Sequence, residues 1–224
     1  MHWFEAVMQV VDLLGVLGNA ILGGMAARAA RLDFVGFAIV AVISGLGGGM
    51  IRDALLGGGP VVALTNPFYL GTALVGAVVA FGVNFSAKIP RRTLVLLDAL
   101  AVGCWGAVGA TKGLAHGLSW LAAILLGVVT VVGGGMVRDV MLMKRPVVLG
   151  GNTLYATSAF AAATVMVGAA ELGHPQVGVA LALAVGAGLS LGARRFGWRL
   201  PTEARTVQFP PVRFTRTRKS RGIR

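Results

Sequence analysis

The chain has little of what a soluble enzyme or a secreted domain is built from. It carries one cysteine, Cys104, in 224 residues, which excludes a disulfide framework and a thiolate metal site. Its three histidines, His2, His116 and His174, are scattered at loops and ends without metal-ligand spacing. There is no nucleophile elbow and no phosphate loop, because Gly57-Gly58-Gly59 lacks the Lys-Ser/Thr that would complete one. Neither catalysis nor a cofactor is expected. Charge is scarce too: Asp, Glu, Lys and Arg make up 12% of the chain, eight acids against twenty bases. Ten of those bases fall in residues 194–224 beside one acid, Glu203, so the net charge of +12 is largely a tail. That tail, with Pro201, Pro210, Pro211 and the Arg213–Arg224 cluster, reads as an exposed segment drawn to anionic lipid. No recognition motif accompanies its charge, so a nucleic-acid partner is not expected.

Apolar residues and glycine are abundant instead. The chain is 56% hydrophobic with a mean hydropathy of +0.82, the signature of an integral membrane protein. Runs long enough to cross a ~30 Å hydrocarbon core lie at Ala6–Ala27, Phe34–Gly57, Pro67–Phe85, Leu94–Thr111, Leu118–Leu142, Asn152–Ala170 and Val177–Ala193, which predicts an all-α fold of seven transmembrane helices. Met1–Glu5 lacks the basic residues that open a signal peptide, so the first run reads as a retained helix. With seven spans, Arg28, Arg31, Lys88, Arg91, Arg92, Lys144, Arg145 and the basic tail share one side, while Lys112 is on the other. The positive-inside rule then places the C-terminus in the cytoplasm and the N-terminus outside.

The chain is also duplicated. A shift of 86 residues aligns Gly47-Gly48-Gly49-Met50-Ile51-Arg52-Asp53 with Gly133-Gly134-Gly135-Met136-Val137-Arg138-Asp139 and, without a gap, Pro60-Val61-Val62 with Pro146-Val147-Val148. Asp12 meets Asp98, Asn66 meets Asn152 and Tyr69 meets Tyr155; residues 10–83 and 96–169 share 23 identities in 74 positions. Each copy holds three spans, an odd number, so the second enters the membrane from the opposite face. The organisation expected is a first three-helix repeat over 5–86, an inverted second repeat over 87–172, an accessory seventh helix over 173–193 and a basic cytoplasmic tail over 194–224. Inverted repeats of this kind commonly build a transport site between their halves.

Glycine disfavours a helix by roughly 1 kcal/mol relative to alanine, so each triplet predicts a kink or break in spans two and five. A break would free carbonyls able to replace part of a cation's hydration shell, and would put Asp53 and Asp139 in the first turn of second half-helices. Ser44 and Thr130 would bring hydroxyls to the same places. The plainer reading is that the glycines let helices approach closely. Arg52 and Arg138 either snorkel to the surface or pair with a carboxylate on another helix, Asp12, Asp98 or the other copy's motif acid; neighbours on one helix point about 100° apart and are poorly placed for each other. Asp12 and Asp98, inside spans one and four, are structural partners or line a pore. Lys112 is interfacial or a gating charge.

The paired Gly-Gly-Gly-Met-x-Arg-Asp-x6-Pro in spans two and five resembles the prokaryotic members of the trimeric intracellular cation channel (TRIC) family, also known under a "glycine transporter" domain label in two tandem copies. The resemblance covers about residues 5–193. It implies a homotrimer with a pore in each protomer between inverted repeats kinked at the Gly triplets, and monovalent cations, K+ above all, as permeant ions, with Na+ the other candidate. Animal relatives sit in reticulum membranes and carry a Lys-Glu-Val signature that binds inositol lipids; this chain has Met50-Ile51-Arg52 in that region. A bacterial plasma membrane is the expected location, and small-solute transport, of glycine for instance, is the rival to a channel.

Overall fold

The computed structural model describes residues 2–83, 91–149 and 154–199. Among these the chain forms α1 (His2–Ala29), α2 (Phe34–Leu56), a single turn α3 (Val62–Thr65), α4 (Pro67–Gly82), α5 (Arg91–Ala115), α6 (Trp120–Met141), a 3-10 turn (Val147–Leu149), α7 (Tyr155–Glu171) and α8 (Pro175–Phe196). Lys88, Asn152 and residues 200–224, with the anionic-lipid segment expected there, lie outside the described residues. Seven long helices correspond to the seven apolar runs. Five are long and apolar enough to span a bilayer outright, whereas α4 has 16 residues and α7 has 17, about 24–26 Å at 1.5 Å per residue. α4 begins at Pro67, where its run begins, and ends at Gly82, while α7 runs from Tyr155 to Glu171 against a run expected over 152–170.

The side chains are sorted as hydrocarbon demands. Most fully buried apolar residues are alanines and valines, among them Ala20, Ala73, Ala107, Ala123, Ala162 and Ala182, while Leu64, Phe68, Val78, Leu125, Val140 and Phe160 point outward. A soluble bundle would do the reverse; here small residues bring backbones together and large ones face an apolar surround. α1 packs on α2 and α4 as α5 packs on α6 and α7, α2 packs on α6 between the two sets, and α8 lies on α5 and α7. The fold is therefore two inverted three-helix repeats plus a seventh helix. Local signals fix the ends: Asp33 accepts from the Gly36 amide at the start of α2, Asn66 from the Phe68 amide before Pro67 of α4, and Gly57 closes α2 in the left-handed region. Arg28, in the last turn of α1, donates to the carbonyls of Ala80 (2.8 Å), Phe81 and Val83 at the end of α4, where the helix dipole favours a cation.

The expected break at the glycine triplets is not formed. Both α2 and α6 run unbroken through Gly47–Gly49 and Gly133–Gly135. The glycines serve the plainer purpose. A Cβ on Gly48 would strike the Thr130 carbonyl oxygen and one on Gly134 the Ser44 carbonyl oxygen; a Cβ on Gly47 would lie 3.2 Å from the Gly134 Cα and one on Gly133 3.1 Å from the Gly48 Cα. Each of these contacts maps onto its mate under the 86-residue shift. Close helix crossing and Cα–H···O contacts compensate for the helix propensity that glycine lacks. Asp53 and Asp139 accordingly stand near the C-terminal ends of single helices, not at the starts of second ones.

Because Gly48 meets backbone and Gly49 does not, Gly48→Ala is expected to destabilise by about 1–3 kcal/mol and Gly49→Ala by less. Melting of the purified variants in detergent, followed by size exclusion, checks the order.

Candidate functional site

The charged residues gather in two clusters, one per repeat. In the first, Asp12 from α1 is 3% exposed, where a lone carboxylate in a membrane protein is costly. It accepts hydrogen bonds from the Tyr69 hydroxyl on α4 at 3.0 Å and from the Trp105 Nε1 on α5 at 3.1 Å, and its Oδ2 lies 3.6 Å from the Arg52 Nη1. Arg52 is 1% exposed and does not snorkel. Its Nε donates to the Oδ1 of the adjacent Asp53 at 2.8 Å, although sequence neighbours on a helix are expected to be poorly placed for each other. The guanidinium folds back over the bare side of Gly49, where a Cβ would stand 3.5 Å from Nη2. Arginine's long stem overcomes the divergence of the two Cβ directions. Lys112 from α5 approaches Asp53 at 3.7 Å and is about one-third exposed.

Asp53 has a second partner. Its Oδ2 accepts the Val62 amide at 3.1 Å, and in the other copy the Asp139 Oδ2 accepts the Val147 amide at 3.1 Å. These amides open α3 and the 3-10 turn, just past Pro60 and Pro146. A carboxylate at the end of its own helix opposes the dipole, yet here it caps the start of the next turn. Apart from the methionine, the parts of the repeated motif thus have mechanical roles: two glycines for the helix crossing, a third for the guanidinium, arginine to neutralise aspartate, aspartate to hold the returning loop, and proline to start it.

The second cluster is wired differently. Arg138 Nη2 is 2.8 Å from Asp139 Oδ1, repeating the first. Asp98, however, is paired with Arg194 of α8, a residue the sequence reading assigned to the tail because α8 was expected to end at 193 rather than at Phe196. Ser44 and Thr130 are both fully buried beside the crossing. The Thr130 hydroxyl donates to the Leu126 carbonyl at 2.7 Å, and the Ser44 hydroxyl finds no partner among the described residues. No carbonyls stand free there, so the expected ion-coordinating break is not formed. Among the described residues no three His, Cys, Asp or Glu side chains group as metal ligands.

Asp12, Arg52, Asp53, Tyr69 and Trp105 border a cavity of about 10 Å³ between α1, α2, α4 and α5, room for roughly one water. What the arrangement can do is hold acid and base in balance inside a membrane while keeping polar groups beside a narrow internal space.

The family model described as glycine transporter matches twice, over residues 9–84 and 95–171. The chain belongs to this family. Among relatives of this glycine transporter (TRIC) family, it is 36% identical over 166 residues to the UPF0126 membrane protein of Deinococcus radiodurans, covering 73% of each chain. It is 33% identical over 149 residues to the inner membrane protein YadS of Escherichia coli, covering 66% of this chain and 72% of that one. In structure it is similar to the TRIC trimeric intracellular cation channel orthologue from Rhodobacter sphaeroides, with a TM-score of 0.78 and 30% identity over 86% of this chain and 99% of that one. A second solved structure, described in terms of conductance through TRIC cation channels, gives 0.79 and 27% over 89% and 98%. The two segments matched by the family model fall on the two copies found by self-comparison, and the unmatched end holds α8 and the tail. Tyr69 was findable, since Tyr69 and Tyr155 persist as mates alongside Asp12 and Asp98. Trp105 and Arg194 were not, because the duplication offers neither a like mate.

Since the Arg52 side chain is 1% exposed and that of Arg138 16%, Asp53→Ala is expected to cost about 3–5 kcal/mol, as for a broken buried pair, and Asp139→Ala less. Comparative melting of the two variants measures this.

Proposed function

We propose that the protein is a cation channel of the bacterial plasma membrane, permeable to K+, assembled as a homotrimer with a separate path in each protomer between its inverted repeats. The observation that carries the reading is the likeness, at 30% identity and over 99% of its length, to the TRIC cation channel orthologue, whose trimeric state and cation conduction are extended here to this chain. Buried ionisable groups within spanning helices support it, because such groups ordinarily mark an ion path. In this reading Gly47, Gly48, Gly49, Gly133, Gly134 and Gly135, with Ser44 and Thr130, form the crossing beside the path. Asp12, Asp53, Asp98 and Asp139 supply the negative charge that favours cations. Arg52 holds Asp12 and Asp53 neutralised at rest, Arg138 holds Asp139 and Arg194 holds Asp98, and Lys112, without a like mate in the other copy, supplies a gating charge at the outer end.

The described state is closed, with Asp12 matched by Arg52 and space for a single water beside them. No Thr-Val-Gly-Tyr-Gly filter is present, so discrimination between K+ and Na+ is modest. The basic side of the chain faces the cytoplasm, with the N-terminus outside and the tail on anionic lipid; the inner-membrane name of YadS supports the location. The family's glycine transporter description favours one rival, a secondary carrier of a small solute.

Planar-bilayer recording of the purified protein in asymmetric KCl, with NaCl and glycine added in turn, separates the two. Discrete unitary currents reversing near the K+ potential are expected. Electrical silence together with uptake of radiolabelled glycine into vesicles would replace the channel by a carrier.

A further inference from the structure

The two halves of the duplication differ sharply in size at a buried pair of mates on α1 and α5. Trp105 is 1% exposed and is the largest of the fully buried side chains, whereas its mate 86 positions earlier is Asn19, buried at 2%. From α5 the indole reaches into the first repeat, donating to the Asp12 Oδ1 at 3.1 Å. Its ring lies so close on Gly15 that a Cβ there would overlap it. Together with Arg52 and Tyr69 it reduces the space between the helices to about 10 Å³. In this half the side chains of Arg52 and Asp12 are 1% and 4% exposed; in the other, Arg194 and Asp98 are 31% and 16% exposed. Asn19 is the sequence mate of the indole, and its Nδ2 has no hydrogen-bond partner among the described residues.

We propose that Trp105 is a plug that closes the first-repeat half of the path, seated on Gly15 and latched to Asp12, and that entry of water and cations from that side requires the ring to leave. The inference rests on the reading of a path between the repeats and adds a residue that governs it. Trp105 suits the role because its bulk is apolar and one hydrogen bond aims it. Moving it removes a donor from Asp12 and leaves that carboxylate facing the opened space.

Two readouts test the plug. Val16 borders the same cavity, so Val16→Cys in a Cys104→Ala background reports its accessibility to a small cationic methanethiosulfonate. Adding Trp105→Asn should speed that modification by about an order of magnitude, since access would no longer wait on a local opening, and should raise unitary conductance or open probability in bilayers. Modification equally slow with and without the tryptophan, in variants eluting as the wild-type oligomer, overturns the plug even where unitary currents persist and the channel reading stands. Faster modification in a protein that is electrically silent with either residue upholds the plug and sinks the channel reading instead. Where Trp105→Asn does not assemble, Trp105→Leu, smaller than indole and suited to an apolar site, carries the same comparison.

Discussion

The approach of α2 to α6 is the constraint on which the rest of the structure depends. Hydrocarbon offers helices no hydrophobic reason to associate, so contact must come from close backbone packing. At the crossing, Gly48 lies against the Thr130 carbonyl and Gly134 against the Ser44 carbonyl. This is one contact made twice about a pseudo-twofold relation. Weak Cα–H···O interactions of about 0.5–1 kcal/mol each are the same size as glycine's disadvantage in a helix, and the added packing tips the balance toward a continuous, tightly crossed pair. The crossing also sets the depth of everything that follows it in sequence. One turn beyond, Arg52 and Arg138 emerge on opposite repeats, with their aspartates ready to hold the returning loops.

Those aspartates explain how a short helix can occupy a membrane. With 16 residues, α4 falls short of a ~30 Å core, and the chain before it must come back into the protein through a turn whose amides need acceptors. Asp53 supplies one to Val62 and Asp139 one to Val147. The acid carries its own counter-charge on the preceding residue, so loop and helix end are tied without leaving a net buried charge. The carboxylate is thereby a structural acceptor as well as a member of the charged cluster.

Much of this was legible because duplication makes a sequence its own comparison. Seven spans, two odd-numbered repeats and the alignment of Asp12 with Asp98 follow from hydropathy and an ungapped shift, and the helices follow those runs to within a few residues. The errors have physical causes. Three glycines in water would argue for a break, but propensity yields to tertiary packing when a second glycine helix is available. Arg52 and Asp53 were judged by where their Cβ atoms point, while a guanidinium several bonds away is limited by obstacles, and Gly49 removes the obstacle. Arg194 was hidden because an arginine near a span end reads as the start of a basic tail.

What the duplication cannot supply is the difference between its halves, and a path across a membrane depends on that difference. Two identical halves would open or seal together. This chain keeps the shared frame, the glycine crossing and the Arg-Asp-loop tie, and departs from symmetry where side chains face the interior. Lys112 has Ala26 as its mate, Trp105 has Asn19, and Asp98 takes its cation from α8, which lies outside the duplicated segment altogether. The departures all act on the two interior aspartates or on the acid beside them: on Asp12 through the indole, on Asp53 through the lysine, on Asp98 through Arg194. Charge balance in the two halves is therefore set by unrelated residues on different helices, so the energy of exposing one aspartate need not match that of exposing the other. On the proposed reading of a path between the repeats, a symmetric frame with unlike guards would let one end stay sealed while the opposite end admits solvent.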